Sequence, residues 1–289
     1  MTRIKSFPPS KLLPSAWAVG WVCLAFGPAS AQVTPSRLDV VVVSGSRSEQ
    51  LRDDLPMSVD VLSASDFENR QMGDIKDLVK DLPNISVKHA PARFTVTGAS
   101  NSTGRDGNAG FTIRGLGSNR VLILVDGTRA PRSYVNGNNA FGRDALSLDL
   151  IKRVEVVRGP SSVLYGSDGL AGLVNFITHE PLDFLAASGA RKDLAGRVSA
   201  SWSGDDEGIG AAATLAGRVN DGVQWLLTGT TRKSNALSNQ GTNDAPNINR
   251  TQPNPQTNRG DSLLGKLVLR PSATQKHVIT LEHVGKSAD

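Results

Sequence analysis

The sequence predicts an α+β domain with short helices, followed by the first strands of an antiparallel transmembrane β-barrel. Two observations predict this fold class. Between residues 48 and 181, short apolar or alternating segments are mixed with helical periodicity and glycine-rich turns. Beyond Pro181, segments of about 8–12 residues alternate between apolar and polar residues, as transmembrane barrel strands do.

Residues 1–31 have the pattern of an export signal. Basic residues open the segment, an apolar run from Leu12 to Gly27 follows, and Ala29–Ala31 forms a small-x-small cleavage motif. The apolar run is too short for a transmembrane helix. The mature chain is therefore expected to begin at Gln32.

The one cysteine, Cys23, lies inside this segment, so the mature chain should have no disulfide and no thiolate chemistry. The segment also carries three basic residues and no acidic ones, so its removal lowers the net charge from +5 to +2. This small charge does not predict nucleic-acid binding.

A valine-rich run follows a short polar linker. It consists of Leu38, Asp39, Val40, Val41, Val42 and Val43. Consecutive valines favour a strand. The residues alone allow either an ordinary first strand or an exposed strand that pairs with the sheet of another protein.

The next elements are predicted from periodicity and capping. Leu55–Leu62 alternates as a half-buried strand does, and Ser63 or Ser65 can cap a short helix that ends at Asn69. Asp74–Leu82 has apolar residues at helical spacing and is predicted to be an amphipathic helix. A further strand and a long polar loop, 90–110, complete this part.

Two strands, Phe111–Gly115 and Arg120–Val125, are predicted before an Asp-Gly turn. The loop Pro131–Arg143 then places Tyr134 and Phe141 among small polar residues. Such a loop suits ligand recognition, because aromatic rings give contact area. An ordinary solvated loop with two buried rings fits the residues equally well.

The glycine-rich stretch at 151–178 is predicted to form a strand at Ile151–Val157, a turn at 158–160 and a second strand at Gly172–Thr178. Spacing alone allows either a loop-rich domain or a functional site. The order of residues in 158–178, and in 111–129, closely resembles the plug-domain signature of TonB-dependent outer-membrane receptors. The stretch at 111–129 is most similar to the haem and haemoglobin branch of that family.

The resemblance runs from about Val40 to the end of the chain. The signature falls on Arg114, Gly115, Asp126, Gly127, Glu155, Arg158, Gly159, Tyr165, Gly166, Gly172 and Asn175. It implies a linker and TonB box at 32–47, a plug domain with a small mixed sheet at 48–181, and barrel strands at 182–289. It also implies that the valine run binds a TonB-type energy-coupling protein.

Charges such as Arg158 could pair with carboxylates of the barrel wall, or could form surface ion pairs worth about 0–1 kcal/mol. Beyond residue 181, a soluble β-sandwich competes with a barrel. Short turns and one long loop, Ser234–Asn258, favour a barrel whose long loop faces outside the cell. Five strands cannot close where about 22 are needed, so the chain is expected to be the N-terminal piece of a longer receptor: a truncated gene, a split product or a fragment.

The resemblance implies an importer in the outer membrane of a Gram-negative bacterium, in contact with lipid. Its expected cargo is an iron source, haem in the first place, and His89 is the candidate axial ligand. A ferric siderophore or a cobalamin-like chelate, bound through Tyr134, Phe141, Arg132 and Arg143, is the alternative within the family. A non-transporting remnant that only binds the coupling protein is the alternative in another class. No nucleophile–base or metal-ligand spacing predicts an enzyme, and no intrinsic cofactor is expected.

Overall fold

A computed structural model describes most of the chain beyond residue 40. The described residues are 41–42, 44, 50–51, 54–55, 57–73, 77–87, 111–117, 120–130, 132–135, 138–141, 147–186, 193–247, 249–253 and 255–288. The chain divides into two compact units, 1–39 and 40–289, and every described residue lies in the second. The predicted export signal, 1–31, lies outside the described residues.

The described strands, numbered in chain order, are β1 Val41–Val42, β2 Gln50–Leu51, β3 Ser58–Ser63, β4 Ile85–Val87, β5 Phe111–Ile113, β6 Val121–Val125, β7 Thr128–Arg129, β8 Arg132–Val135, β9 Asn138–Phe141, β10 Ile151–Arg158, β11 Gly172–Thr178, β12 Leu194–Ser203, β13 Gly208–Asn220, β14 Val223–Asn235, β15 Thr257–Ser272 and β16 Gln275–Ala288. Three short helices accompany them: α1 Ala64–Asn69, α2 Ser162–Tyr165 and α3 Pro181–Leu185. Single 3₁₀ turns lie at Asp77–Val79 and Leu148–Leu150.

The first large sheet is mixed, with the strand order β3-β10-β11-β6-β7. β10 is antiparallel to both of its neighbours, and β11 is parallel to β6. β6 and β11 are apolar along almost their whole length and almost fully buried, which is the pattern of strands covered on both faces. Phe111 and Phe176 meet in the core beside them, with ring centroids 6.3 Å apart.

The helix predicted after β3 is present and ends at Asn69. Ser63 is its N-cap: its hydroxyl accepts from the Asp66 backbone N–H, and the Asp66 carboxylate accepts from the Ser63 backbone N–H. The amphipathic helix predicted at Asp74–Leu82 is wrong for its described part, 77–82, where a single 3₁₀ turn at Asp77–Val79 replaces it. Leu78 is still buried there, so the apolar spacing predicted burial correctly and the helix length incorrectly.

The glycine-rich stretch folds back tightly between β10 and β11. Backbone N–H groups of Gly159 and Ser161 donate to the carbonyls of Ala171 and Gly169, at 3.1 and 2.8 Å. Gly172 has φ +151°, and a Cβ there would lie 2.2 Å from the Val157 carbonyl oxygen. Only glycine fits this position. The short helix α2, inside this stretch, was not predicted.

The second large sheet is an antiparallel meander, in the order β12-β13-β14-β15-β16. Its strands alternate as predicted. Large apolar side chains are exposed on one face: Leu194, Val198, Trp202, Ile209, Leu215, Leu227, Leu263, Ile279 and Leu281. On the other face, Ala216, Leu226 and Leu264 join the core of the mixed sheet. Within the part of the chain that the structure describes, no helix is long and apolar enough to cross a membrane.

Helix α3 connects the two sheets and is held by charged groups at its N-terminal end. Asp183 is 2.5 Å from Lys152 Nζ and accepts from the Glu180 backbone N–H at 2.8 Å. Burial alone would raise the pKa of Asp183, but the imidazole of His179, the Glu180 N–H and the ammonium of Lys152 outweigh it and lower the pKa to about 2. Leu185 at the other end of α3 is fully buried.

The low pKa of Asp183 predicts a loss of stability in acid. Its ordinary value is 3.8, so the ionised carboxylate should stabilise the fold by about 2 kcal/mol above pH 4, and this contribution should vanish as the pH falls through 3.8 towards 2. Thermal unfolding of the natural chain and of Asp183→Asn, followed by circular dichroism between pH 7 and pH 2.5, measures the difference.

The matched control is Asp81→Asn, because the Asp81–Arg70 pair is largely exposed. Its cost should be within about 0.5 kcal/mol and nearly constant over the same range. A cost of Asp183→Asn that is the same at pH 7 and pH 2.5 would contradict the explanation.

Candidate functional site

The Asp-Gly turn between β6 and β7 connects the mixed sheet to the meander. Asp126 and Gly127 have φ of 48° and 77°, the left-handed conformation expected for this pair. One carboxylate oxygen of Asp126 accepts from the Thr178 backbone N–H at 2.8 Å, and the other from the Thr178 hydroxyl at 2.6 Å. Lys266 of β15 also donates to Asp126, at 2.9 Å. The turn therefore binds both the end of β11 and the opposite sheet.

Lys266 was missed by sequence reasoning, although a signal for it exists. Its side chain is only 4% exposed and lies on the same face of β15 as Leu264 and Val268. A cation on the covered face of an alternating strand needs an anionic partner, because burying it unpaired is costly. The strand pattern could thus have predicted that a carboxylate of the mixed-sheet part of the chain faces Lys266.

The valine-rich run is described only at Val41–Val42, which pair with Gln50–Leu51 in a two-stranded antiparallel ladder. Leu38, Asp39, Val40 and Val43 lie outside the described residues. Ser44, two residues after the ladder, is fully buried. Its backbone N–H donates to Glu155 Oε2 at 2.8 Å, and its hydroxyl accepts from Asn175 Nδ2 at 2.7 Å. We call these three residues the Ser44 anchor.

Glu155 and Asn175 are direct cross-strand partners on β10 and β11, and both are fully buried. Glu155 Oε1 accepts from Arg153 Nε at 2.7 Å, and Asn175 Oδ1 accepts from the Gly127 backbone N–H at 3.2 Å. The Asn175 amide therefore connects Ser44 to the turn that contains Asp126. Sequence reasoning named both side chains as part of the signature but missed Ser44.

Arg158 and Arg114 take different positions. Arg158 Nη2 lies 2.5 Å from Asp60 on the adjacent strand β3, so its described carboxylate partner belongs to the mixed sheet and not to the meander. Arg114 is exposed, with φ 51°, followed by Gly115 with φ 79°. Its backbone N–H donates to the Asn84 carbonyl at 2.8 Å.

Arg129, at the end of β7, holds the glycine-rich stretch in place. Its guanidinium donates to the Tyr165 carbonyl at 2.7 and 3.1 Å and to the Ser167 carbonyl, and it lies 3.5 Å from Asp168. Gly166, between these acceptors, has φ 79°. Tyr165 and Gly166 thus contribute backbone geometry here, and Gly159 begins the same turn with φ 133°.

A cavity of about 1320 Å³ lies between the mixed-sheet part of the chain and the inner face of the meander. Its lining carries paired charges: Arg197–Glu68 at 2.7 Å, Arg232–Asp206 at 3.1 Å and Lys80–Asp77 at 2.7 Å. Burial would raise the pKa of Asp206, but a hydrogen bond from Ser203 and the charge of Arg232 outweigh it and lower the pKa. The cavity therefore carries ion pairs together with apolar lining residues such as Phe67 and Phe184.

The candidate cargo residues are not brought together by described contacts. His89 lies outside the described residues. Tyr134 and Phe141 lie on the paired strands β8 and β9, opposite Asn139 and Arg132. In the described part of the chain, no cluster of three or more His, Cys, Asp or Glu side chains could hold a metal ion.

The Asp126–Lys266 contact yields a testable prediction. Removing one charge leaves the other partly buried and unpaired, so Lys266→Met and Asp126→Asn should each lower the free energy of unfolding by about 2 kcal/mol. The double variant should cost at least about 1 kcal/mol less than the sum, because both changes remove one interaction. Chemical unfolding of the four proteins measures this coupling.

The control cycle uses Lys276 and Glu180, a more exposed pair at 2.7 Å. Its coupling should be below about 1 kcal/mol. Additive costs at Asp126 and Lys266 would show that the contact does not hold the two sheets together.

Comparison with known proteins identifies the part of the chain that contains the mixed sheet. The family model described as TonB-dependent Receptor Plug Domain matches residues 52–173. A hemin receptor from Yersinia enterocolitica is 32% identical over 209 residues, which are 72% of this chain and 27% of the relative. The vitamin B12 transporter BtuB of Vibrio vulnificus is 38% identical over 140 residues, or 48% of this chain and 20% of the relative. The chain thus spans about a quarter of the length of these relatives.

Solved structures show the same fold. The siderophore receptor PirA from Acinetobacter baumannii superposes with a TM-score of 0.59 at 22% identity, over 80% of this chain and 32% of that structure. The ferric enterobactin receptor PfeA from Pseudomonas aeruginosa (R480A variant) superposes with a TM-score of 0.58 at 18% identity, over 80% of this chain and 33% of that structure. The five-stranded meander corresponds to the start of the receptor barrel. These likenesses confirm the predicted fold class, a mixed plug sheet with short helices followed by the first strands of an antiparallel barrel.

The family consists of non-enzymatic outer-membrane receptors, which confirms that the chain is not an enzyme. By its plug domain and the barrel strands that follow, the chain belongs to the TonB-dependent receptors.

Proposed function

We propose that the chain is the N-terminal part of an outer-membrane importer of an iron source, haem in the first place, driven by a TonB-type coupling protein. Two attachments carry this proposal. The segment after Val41–Val42 is held inside the plug at Ser44. The plug itself is bound to the barrel strands through Asp126 and Lys266. A force on the valine-rich segment would act first on the short β1–β2 ladder and then on the Ser44 contacts. Residues 32–47 serve in this proposal as linker and TonB box.

The short length of the β1–β2 ladder supports a role of the valine run in partner binding. Each strand is two residues long, so few main-chain hydrogen bonds compete with a partner strand. A strand with free N–H and C=O groups can pair with the edge of another sheet, and main-chain hydrogen bonds then transmit a pulling force. We assign Leu38–Val43 this role.

The cargo assignment rests on the relatives' names. Hemin receptors from Yersinia enterocolitica and Yersinia pestis match over 72% of this chain, at 32% and 31% identity. His89 is the candidate axial ligand, since imidazole binds haem iron. The alternative cargo is a siderophore or cobalamin-like chelate, favoured by the 38% identity to a vitamin B12 transporter over the shorter match. Tyr134 and Phe141 would then supply contact area.

The apolar face of the meander supports the membrane part of the proposal. Nine large apolar side chains, named above, are exposed on that face, while the opposite face covers the plug. Alternation of apolar-out and polar-in residues is what a lipid-facing barrel wall requires. Outer-membrane lipid is thus the proposed neighbour of this face, and the plug domain at 48–181 lies inside the wall begun by 182–289.

Growth on haem tests the transport proposal. A Gram-negative haem auxotroph that lacks its own haem receptors should grow on external haem when it expresses the full-length receptor of which this chain is the proposed N-terminal part. Val42→Pro should abolish growth, because proline removes a backbone donor from the strand. Val42→Thr is the matched control and should retain growth, because threonine keeps both the N–H and the branched shape.

If the Val42→Pro variant grows as fast as the Val42→Thr variant, the valine run is not the coupling segment. Uptake of cobalamin or of a ferric siderophore without haem uptake would assign the alternative cargo. If no cargo is taken up although the protein reaches the outer membrane, the remaining hypothesis is a non-transporting protein that only binds the coupling protein.

The axial-ligand role of His89 has a separate test. His89→Ala should weaken haem binding by about tenfold or more, seen as a smaller Soret difference spectrum at equal haem concentration. His277→Ala, a change of an exposed histidine on the barrel strands, is the control and should leave the spectrum unchanged. Equal spectra for both variants would exclude His89 as an iron ligand.

A further inference from the structure

Two tryptophans mark the ends of the apolar band on the outward face of the meander. The exposed Trp202 of β12 pairs with Ile209 of β13, and Trp225 of β14, on the same face as the exposed Leu227, pairs with Gly217 of β13. Ile209 and Gly217 are eight residues apart, which is about 27 Å along a strand and about 20 Å across a bilayer at the usual strand tilt. Aromatic residues flank the apolar band of outer-membrane barrels at both interfaces. The two tryptophans therefore bound the band that the proposed function places in lipid.

Two cations lie at the Trp202 end of this band. Ile209, which pairs with Trp202, pairs on its other side with Lys233 of β14. Lys233 in turn pairs with Arg259 of β15. The four residues form one row across four strands, and both charged residues are exposed. This end of the sheet carries the long loop Ser234–Asn258, whose predicted position is outside the cell.

The described part of the fold does not neutralise Lys233 and Arg259. Among the described side chains, no carboxylate forms an ion pair with either of them. Like charges directly opposite each other on one face of a sheet repel. Asp261, which lies two residues beyond Arg259 on the same face and pairs with Thr231, offsets part of this charge. One net positive charge remains beside the band, and an anion between the two cations would remove their repulsion.

A phosphate group fits this pair of cations. Direct cross-strand neighbours have Cβ atoms about 4.5–5.5 Å apart, so an ammonium and a guanidinium on flexible stems can reach one phosphate together. Phosphate accepts from several donors at once, and a guanidinium binds it through two N–H groups. Exposed apolar side chains lie directly beside the pair: Ile209 in the same row, and Leu227 and Leu263 nearer the Trp225 end. They favour a phosphate that is attached to acyl chains over a soluble anion.

We propose that Lys233 and Arg259 bind a phosphate of the phosphorylated glycolipid in the outer leaflet of the membrane, while the acyl chains of that lipid lie against the apolar band. The inference rests on the proposed membrane position of the meander. It adds to that position a defined lipid, a binding site and a fixed depth for one end of the band. The two residues determine which lipid is bound and take no part in cargo binding or coupling.

Lipid binding to the full-length receptor of which this chain is the proposed N-terminal part tests the site. The receptor is freed of lipid in detergent and titrated with tetra-acylated, doubly phosphorylated lipid A, and native mass spectrometry counts the molecules bound. Lys233→Gln combined with Arg259→Gln should weaken the binding of one lipid A molecule by about tenfold or more, because each cation near an anionic lipid surface contributes roughly fivefold. Asp261→Asn should strengthen the same binding by about threefold or more, because it removes a carboxylate that repels the phosphate.

The matched control removes two positive charges elsewhere. Arg70→Gln combined with Arg120→Gln does so at exposed side chains of the mixed-sheet part of the chain, and it should leave lipid A binding unchanged. Lipid A from which both phosphates have been removed is the second control. It should bind equally to all variants, and more weakly than the phosphorylated lipid binds to the natural receptor. The heat-dependent mobility of the barrel in gel electrophoresis shows that each variant is folded.

Three results would overturn the proposal. The first is equal binding of phosphorylated lipid A by the Lys233/Arg259 double variant and by the control. The second is a loss in the double variant that is as large for the dephosphorylated lipid, because the apolar band would then be the part affected. The third is displacement of lipid A by inorganic phosphate at an ionic strength where chloride has no effect, which would indicate a site for a soluble anion.

This experiment needs neither haem nor the coupling protein. The growth experiment can therefore fail while the phosphate site is confirmed. Conversely, dephosphorylated lipid that binds to every variant, without any gain from its phosphates, would overturn the phosphate site and leave the membrane position of the apolar band supported.

Discussion

The buried pair Glu155–Asn175 is the contact on which the polar architecture of this chain depends. Two polar side chains face each other across the central strands of an otherwise apolar sheet, fully removed from water. Such groups persist only where partners reach them, since each unsatisfied group would cost about 1–3 kcal/mol. Arg153, Gly127 and Ser44 are among those partners. The need to satisfy one pair thus fixes where three separate segments lie.

The Glu155–Asn175 pair is also linked to the barrel strands by polar contacts. Gly127 binds Asn175, and its neighbour Asp126 binds Thr178 and Lys266. Polar contacts therefore run without a break from residue 44, through the plug sheet, to β15. Such a series can couple two sites only where one of its members has two arrangements. Ser44 lies at one end of this series, outside both large sheets.

Much of this fold was predictable because it depends on local patterns. The strand Gly172–Thr178 and the cap at Ser63 follow from residues next to each other in sequence, and the structure has both. The helix over 74–82 failed in its described part because apolar spacing indicates a buried face but not how many turns form. The partners of Ser44 and Lys266 could not be assigned, since they depend on contacts between residues more than 100 positions apart. The cavity between plug and wall likewise arises only from the packing of two domains.

The relative strength of the attachments determines the order in which they yield. β10 and β11 are eight and seven residues long and pair along their whole length, so sliding them apart breaks many hydrogen bonds in the dry core. β1 and β2 are two residues long. A force applied at the valine-rich end therefore meets a weak ladder first, then the Ser44 anchor, and only then the sheet. The Ser44 anchor lies between the short ladder and the mixed sheet, and its two hydrogen bonds end on Glu155 and Asn175 of β10 and β11, so the force reaches the sheet through this pair.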